Sequence, residues 1–280
     1  MKCRVGFALA VAVAVGAPLV ANADPLSVFQ PAHVRAIAIT PADVKALRAL
    51  PALDAFGTIR GTRNPGIEEV GSASEAASYA GFALRLPENV PASLASSVRY
   101  EVTRRARTSF TFDAAKATAW AREQHVSLQP MPRGLADTTY TATLQPVALV
   151  TYGAHAERGS GHGHRRDNFL AVMQAPLPTV TSSGASVETL AQWFAAQPGM
   201  PPHLAAEVRA IGDPTQTLPI PVRFDKQTAT NVDVDGVHGL AIGDETGVGA
   251  AVVWTKEGKI YAVGGTLTQS RVLALANALK

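Results

Sequence analysis

The chain has 280 residues, 47% of them hydrophobic, with 25 Lys+Arg against 22 Asp+Glu and a single cysteine, Cys3. Lys2 and Arg4, the apolar run from Val5 to Val15, then Gly16, Pro18 and Ala21-Asn22-Ala23 have the layout of a secretory signal peptide with cleavage before Asp24. Removing residues 1–23 leaves 23 Lys+Arg against 22 Asp+Glu and no cysteine, which excludes thiol catalysis and disulfides and gives no electrostatic case for nucleic acid. The apolar run is shorter than the ~20 residues needed to span a bilayer, and no second such run follows, so no membrane span is expected after cleavage.

From the N-terminus, Thr40-Pro41-Ala42-Asp43 opens a helix, with Thr as cap, Pro in the first turn and an acid at the positive helix end. Val44, Leu47 and Leu50 form its apolar stripe, and Pro51 stops it. A short helix is predicted over 74–79, and "GFALRLPENVP" (81–91) reads as a strand broken by Pro87 and Pro91. Strands follow at 97–103 and 108–112. The basic run Arg104-Arg105-Ala106-Arg107 between them is expected at a solvated strand end or turn. Asp113 caps a helix to about His125 whose buried side carries Ala117, Trp120 and Ala121.

Residues 138–144 and 147–152 are β-branched and aromatic, separated by Gln145-Pro146, and 169–174 continues the pattern. Ser186 caps a helix with Leu190, Trp193 and Phe194, and a short helix with Leu204 and Val208 follows. The end of the chain reads as a meander with strands at 222–224, 228–234, 238–242, 249–254 and 260–263. "TKEGK" is its hairpin turn, and a closing helix is capped by Thr268 or Ser270. Strand runs mixed with separate helices predict an α+β fold of antiparallel sheets with helices on one face. The echo of "LPENVP" (86–91) in "LPIPV" (218–222) leaves two similar halves open. The expected regions are 1–23 signal peptide, 24–153 and 169–280 as α+β regions, and 154–168 as a Gly/His-rich loop; the two α+β regions could form one domain.

Chemistry-bearing motifs are few. "NVDVDGVHGLAI" (231–242) starts like a calcium loop, but its twelfth position is Ile242 where a bidentate glutamate is needed, so it reads as a strand and a turn at Asp235-Gly236. No nucleophile elbow, Ser-x-x-Lys, H-E-x-x-H, P-loop or dinucleotide fingerprint is present. "HAERGSGHGHRRD" (155–167) holds the right ligand types for a metal in His155, His162, His164 and Asp167. Its glycines make the loop costly to order, and a solvated connector needs no ligand, so no metal and no cofactor is expected. Trp120, Trp193 and Trp254 are expected as core anchors.

Three passages resemble a family of exported bacterial proteins: "SEAASYAGFALRLPENVP" (74–91), "GDPTQTLPIPV" (212–222) and "AAVVWTKEGKIYAVGGTLTQSRVLALANAL" (250–279). The family carries a C-terminal domain of unknown function, also found beyond the membrane span of anti-sigma-factor-like proteins. More distantly, the chain is similar to the half-open antiparallel barrels of periplasmic lipoprotein carriers. The resemblance implies an extracytoplasmic, non-enzymatic protein, periplasmic or secreted, and supplies no catalytic residue. No zinc-binding segment precedes the apolar run, so direct sigma-factor binding is not expected. The function expected is an exported binding or sensing module, with an envelope protein or a small apolar ligand as partner. One alternative is a carrier whose concave sheet is lined by residues such as Phe110, Trp120 and Leu149; another is a hydrolase with an unrecognised site.

Overall fold

Four pairs of consecutive strands pass from one sheet into another, so that one set of neighbours serves two sheets. The computed structural model describes residues 33–49, 51–62, 65–153, 168–211 and 217–280. In chain order the elements begin with β1 (His33–Ala38), α1 (Pro41–Ala49), a 3₁₀ turn (Leu53–Phe56), β2 (Gly57–Gly61) and β3 (Ile67–Val70). Next come α2 (Ala73–Ala80), α3 (Ala92–Ala95), β4 (Val98–Thr103), β5 (Ala106–Phe112), α4 (Ala114–Glu123), β6 (Thr139–Leu144) and β7 (Ala148–Gly153). β8 (Phe169–Pro176), β9 (Thr179–Ser182), α5 (Val187–Ala195), α6 (Pro202–Arg209) and β10 (Thr217–Val222) follow. The meander β11 (Gln227–Val234), β12 (Val237–Asp244), β13 (Ala250–Lys256) and β14 (Lys259–Gly265) leads into α7 (Gln269–Asn277).

The large sheet has the order β11-β12-β13-β14-β8-β7-β4-β3 and the small sheet β2-β5-β6-β9. Every pairing within both is antiparallel, so the fold is α+β, as expected, and it is not a barrel. Reading across, β3-β4-β7-β8 continue into β2-β5-β6-β9 in the same order. The junctions fall between Gly61 and Ile67 and at Arg104-Arg105, Gln145-Pro146-Val147 and Leu177-Pro178. Pro146 and Pro178 have no N–H to give to a ladder, which ends pairing there. At the end of β2 Gly61 has φ +105°, and a Cβ on it would collide with the carbonyl oxygen of Arg107. Only glycine fits. Strands from both sides of 154–168 build both sheets, since β8 and β9 lie beside strands from before that segment.

Alternation sorts the large sheet into two faces. Val150, Val172, Val252, Trp254, Tyr261 and Val263 pack under α7 through Val272, Leu275 and Ala276. At the other end of this face α2 places Ala76 and Ala80 against Val102 and Ala148. The opposite face, with Met173, Val253, Ile260 and Ala262, meets Val34, Leu218 and Ile220 of a two-stranded ribbon. That ribbon, β1 with β10, is parallel and was not expected. The strand expected at 222–224 is instead β10, which ends at Val222 and contains Pro219 and Pro221. Both prolines lie in the set that alternates with Val222, whose carbonyl accepts from Ile39 N–H of the β1 side. Their missing donors therefore fall on the open edge of the ribbon.

Local signals act as the sequence predicts at most helix starts. Asp113, Ser186 and Thr268 each accept a backbone N–H three residues on. Thr40 and Asp43 bond reciprocally at the start of α1. The stripe expected on α1 is corrected in part: Leu47 is 40% exposed while Asp43 is buried, and Leu50 lies outside the described residues. Asp235-Gly236 and Glu257-Gly258 have positive φ at both positions, the requirement of two-residue type I′ hairpins.

The expected strand at 81–91 is also corrected. Its sole bridge among the described residues is Pro87 with Leu279, alongside reciprocal backbone bonds between Leu86 and Lys280. The equivalence of 86–91 with 218–222 is lost with it, because the latter is a regular strand. A side chain replaces the missing ladder. Gln174, 1% exposed, accepts from Arg85 N–H at 2.9 Å and donates to its carbonyl oxygen at 2.7 Å. Changing Gln174 to Met, which keeps the volume, is expected to cost about 1–3 kcal/mol by stranding both backbone groups. A urea midpoint equal to wild type would show that the segment is held by its apolar contacts alone.

Candidate functional site

The metal-ligand candidates of the sequence, His155, His162, His164 and Asp167, lie outside the described residues; their segment connects the paired strand ends Gly153 and Phe169. Among the described residues no group of three His, Cys, Asp or Glu side chains is placed to hold a metal ion.

Two polar clusters join distant parts of the chain. In the first, Arg85 forms a two-pronged ion pair with Asp235, donates to the Leu279 carbonyl at 2.8 Å and lies over the Tyr261 ring. Lys256 Nζ reaches Asp235 Oδ1 at 3.0 Å and its carbonyl at 2.7 Å, and Asn277 Oδ1 accepts the Asp235 N–H. Burial works to raise the Asp235 carboxyl, but hydrogen bonds and charge from Arg85 and Lys256 outweigh it and hold the group below the ordinary aspartate range. Two cationic side chains already occupy the carboxylate that a calcium ion would need, in agreement with the strand-and-turn reading of 231–242. The cluster clasps the segment after α2, two hairpins and the C-terminal helix to one another.

In the second cluster His203 Nδ1 lies 3.5 Å from Asp43 Oδ2, and Glu207 lies between His203 and Arg35. A hydrolase would need a hydroxyl on the imidazole and a carboxylate behind it. Here Thr40 Oγ1 donates to Asp43 at 2.7 Å, so the hydroxyl sits on the carboxylate and caps a helix. An open hollow of about 490 Å³ beside α4 includes Thr118, His125 and Ser127, but no carboxylate among its walls can orient the imidazole.

The carrier residues do not share a cavity. Phe110 is buried in an aromatic core with Phe56, Phe112, Tyr140 and Trp193, with Trp120 packed at its margin. Leu149 belongs to the different cluster under the β1–β10 ribbon. Trp193 and Trp254 are core anchors as expected, at 4% and 0% exposed, and Trp120 is partly buried at 5.2 Å from the Phe56 ring.

The aromatic core covers one side of the small sheet; the other side carries hydroxyl and basic side chains. Because Ile59, Phe110, Phe112, Tyr140 and Val180 point into that core, their neighbours in each strand point away from it. The register then sets these outward residues in rows. Thr58 is opposite Thr111 and Thr111 opposite Thr139, with the last two hydroxyls 2.9 Å apart. Arg60, Ser109, Thr141 and Thr181 form the next row, and Arg107, Thr143 and Thr179 the third. The strand sequences GTIRG, ARTSFTF, TYTATL and TVTS contain no carboxylate. Arg60 and Arg107 are exposed diagonal neighbours, and neither has an ion-pair or hydrogen-bond partner for its guanidinium among the described residues. Lys116 Nζ adds a third cation at the corner, 3.3 Å from Thr58 Oγ1.

Sequence reading missed this face. The alternation T-x-T-x-T at 139–143 and T-x-T at 179–181 was visible, but which strands share a sheet was not. No family model, no curated protein and no solved structure matches this chain.

Proposed function

We propose that the chain is an exported, non-enzymatic binding module and that the outward face of the small sheet is its binding surface. The observation that carries the reading is a pair of arginines, without partners among the described residues, on a field of threonine and serine hydroxyls that holds no acid. Strand propensity alone accounts for threonine on a sheet face. It does not account for two adjacent like charges with no counter-ion among the described residues, which oppose folding slightly and favour an anionic partner. Export is supported by the basic, apolar and Ala21-Asn22-Ala23 segments in succession, and an extracytoplasmic role also by the family resemblance of 74–91 and 250–279.

The test is co-sedimentation of the chain beginning at Asp24 with washed envelope particles. Wild type is expected in the pellet, and the double variant Arg60→Ala, Arg107→Ala is expected mostly in the supernatant with an unchanged melting temperature. Equal pelleting of the two proteins would rule this face out as the binding surface.

A further inference from the structure

We propose that the ligand of this face is an anionic polysaccharide, a polymer bearing carboxylates or sulfates along a chain of sugar hydroxyls. The inference rests on the reading of the small sheet as the binding surface and names the chemistry it takes.

Three features of the face select this class. The first is charge: Arg60 and Arg107 on the face, with Lys116 at its corner, have no acid within the four strands to neutralise them. A guanidinium presents a planar fork of donors that fits carboxylate or sulfate oxygens two at a time. The second is the hydroxyl field. Side chains one strand spacing apart within a row, about 4.8 Å, in rows two residues apart along the strands, about 6.7 Å, offer both donors and acceptors over an extended area. Sugar hydroxyls need such groups at close intervals, whereas a lone phosphate or a carboxylate metabolite would use one corner of the face. The third is the position of the rings. Phe110, Phe112 and Tyr140 all point into the core on the far side, so the strands set no aromatic platform on the outward face for stacking bases. A single-stranded nucleic acid binder depends on such platforms, and the four strands carry no Asn or Gln to pair with adenine edges in a duplex groove. Polysaccharide is therefore favoured over nucleic acid as the polyanion.

The arrangement also places a limit on strength. The arginines stand in solvent, so their contacts are screened by salt, and binding should fall steeply as the Debye length shrinks from about 8 Å at physiological ionic strength to about 3 Å at 1 M.

The decisive experiment measures binding of the chain beginning at Asp24 to alginate, dextran sulfate, neutral dextran and a DNA duplex, by affinity electrophoresis and calorimetry. Expected is binding to at least one of the two anionic polysaccharides and none to dextran, weakened about tenfold by each of Arg60→Ala and Arg107→Ala. Thr141→Val with Thr181→Val, which keeps shape and β propensity, should weaken it further while leaving the salt dependence unchanged. Circular dichroism and melting temperature serve as folding controls for every variant. Binding to dextran as tight as to the anionic polymers, binding of the duplex as tight or tighter, or affinity indifferent to both arginines would overturn the assignment. If neither anionic polymer binds but envelope sedimentation still depends on Arg60 and Arg107, the ligand class is wrong and the binding face stands. If both measurements fail, both readings fall.

Discussion

Replacing Trp254 with alanine lowers stability by about 3–5 kcal/mol, the range for truncating a buried aromatic side chain. The ring is fully buried, stacks on Tyr261 at 5.3 Å between centroids with the planes 15° apart, and lies under Val272, Leu275 and Ala276 of α7. Backbone elements pinned on both sides limit how far the site can collapse, since Gly239 approaches the Trp254 Cβ so closely that a Cβ of its own would stand 3.1 Å away. At roughly 2–4 °C per kcal/mol for a chain of this size, the melting temperature should fall by roughly 6–20 °C. Trp254→Phe should cost much less, because it keeps a ring against Tyr261. An alanine variant that melts with wild type would mean that α7 does not depend on this contact.

Asp235→Ala is the second large effect, expected at about 2–4 kcal/mol. It leaves Arg85 and Lys256, with side chains 28% and 27% exposed, facing each other without the carboxylate between them. Breaking a buried pair costs about 3–5 kcal/mol, and the partial exposure of both cations lowers that figure. The pH dependence has a definite sign. The folded-state pKa of Asp235 is held below the unfolded value of about 3.9, so the contribution is fully present above that value and is lost as pH falls through the lower, folded one. The stability gap between wild type and Asp235→Asn should therefore be wide at pH 7 and narrow as the pH falls below about 4. Denaturation curves showing a constant gap across that range would contradict the clasp.

What was legible in the sequence was what local chemistry decides. Caps at Asp113, Ser186 and Thr268 and the turn residues of "TKEGK" and Asp235-Gly236 act within a few positions of themselves, and each lies where the sequence places it. Residues 81–91 misled for a physical reason. Phe82, Leu84 and Leu86 alternate because one side of the segment is buried, and they do pack against the cores. Alternation reports burial, not a ladder, and here the backbone partner is the Gln174 side chain. The ribbon strand β1 (HVRAIA) and the short β2, β3 and β9 were not legible because their partners are distant. β1 pairs with residues 217–222 and β9 with 140–143. The binding face was hidden for the same reason, being a product of register across four strands joined by long excursions. The basic run 104–107 reads as a strand end or turn, and Arg104-Arg105 does lie between the end of β4 and the start of β5. Arg107, two residues on, becomes part of the face only once β2 lies beside it.

Whether the outward face of the small sheet is where this protein binds can be read residue by residue from amide chemical-shift mapping. Isotope-labelled protein beginning at Asp24 is titrated with solubilised envelope polysaccharide. Shifts are expected to concentrate in 57–61, 106–112, 139–144 and 179–182, strongest around Arg60 and Arg107 and absent in their double alanine variant. Shifts confined to 154–167, or spread over the large sheet with those four strands silent, would contradict a binding role for this face.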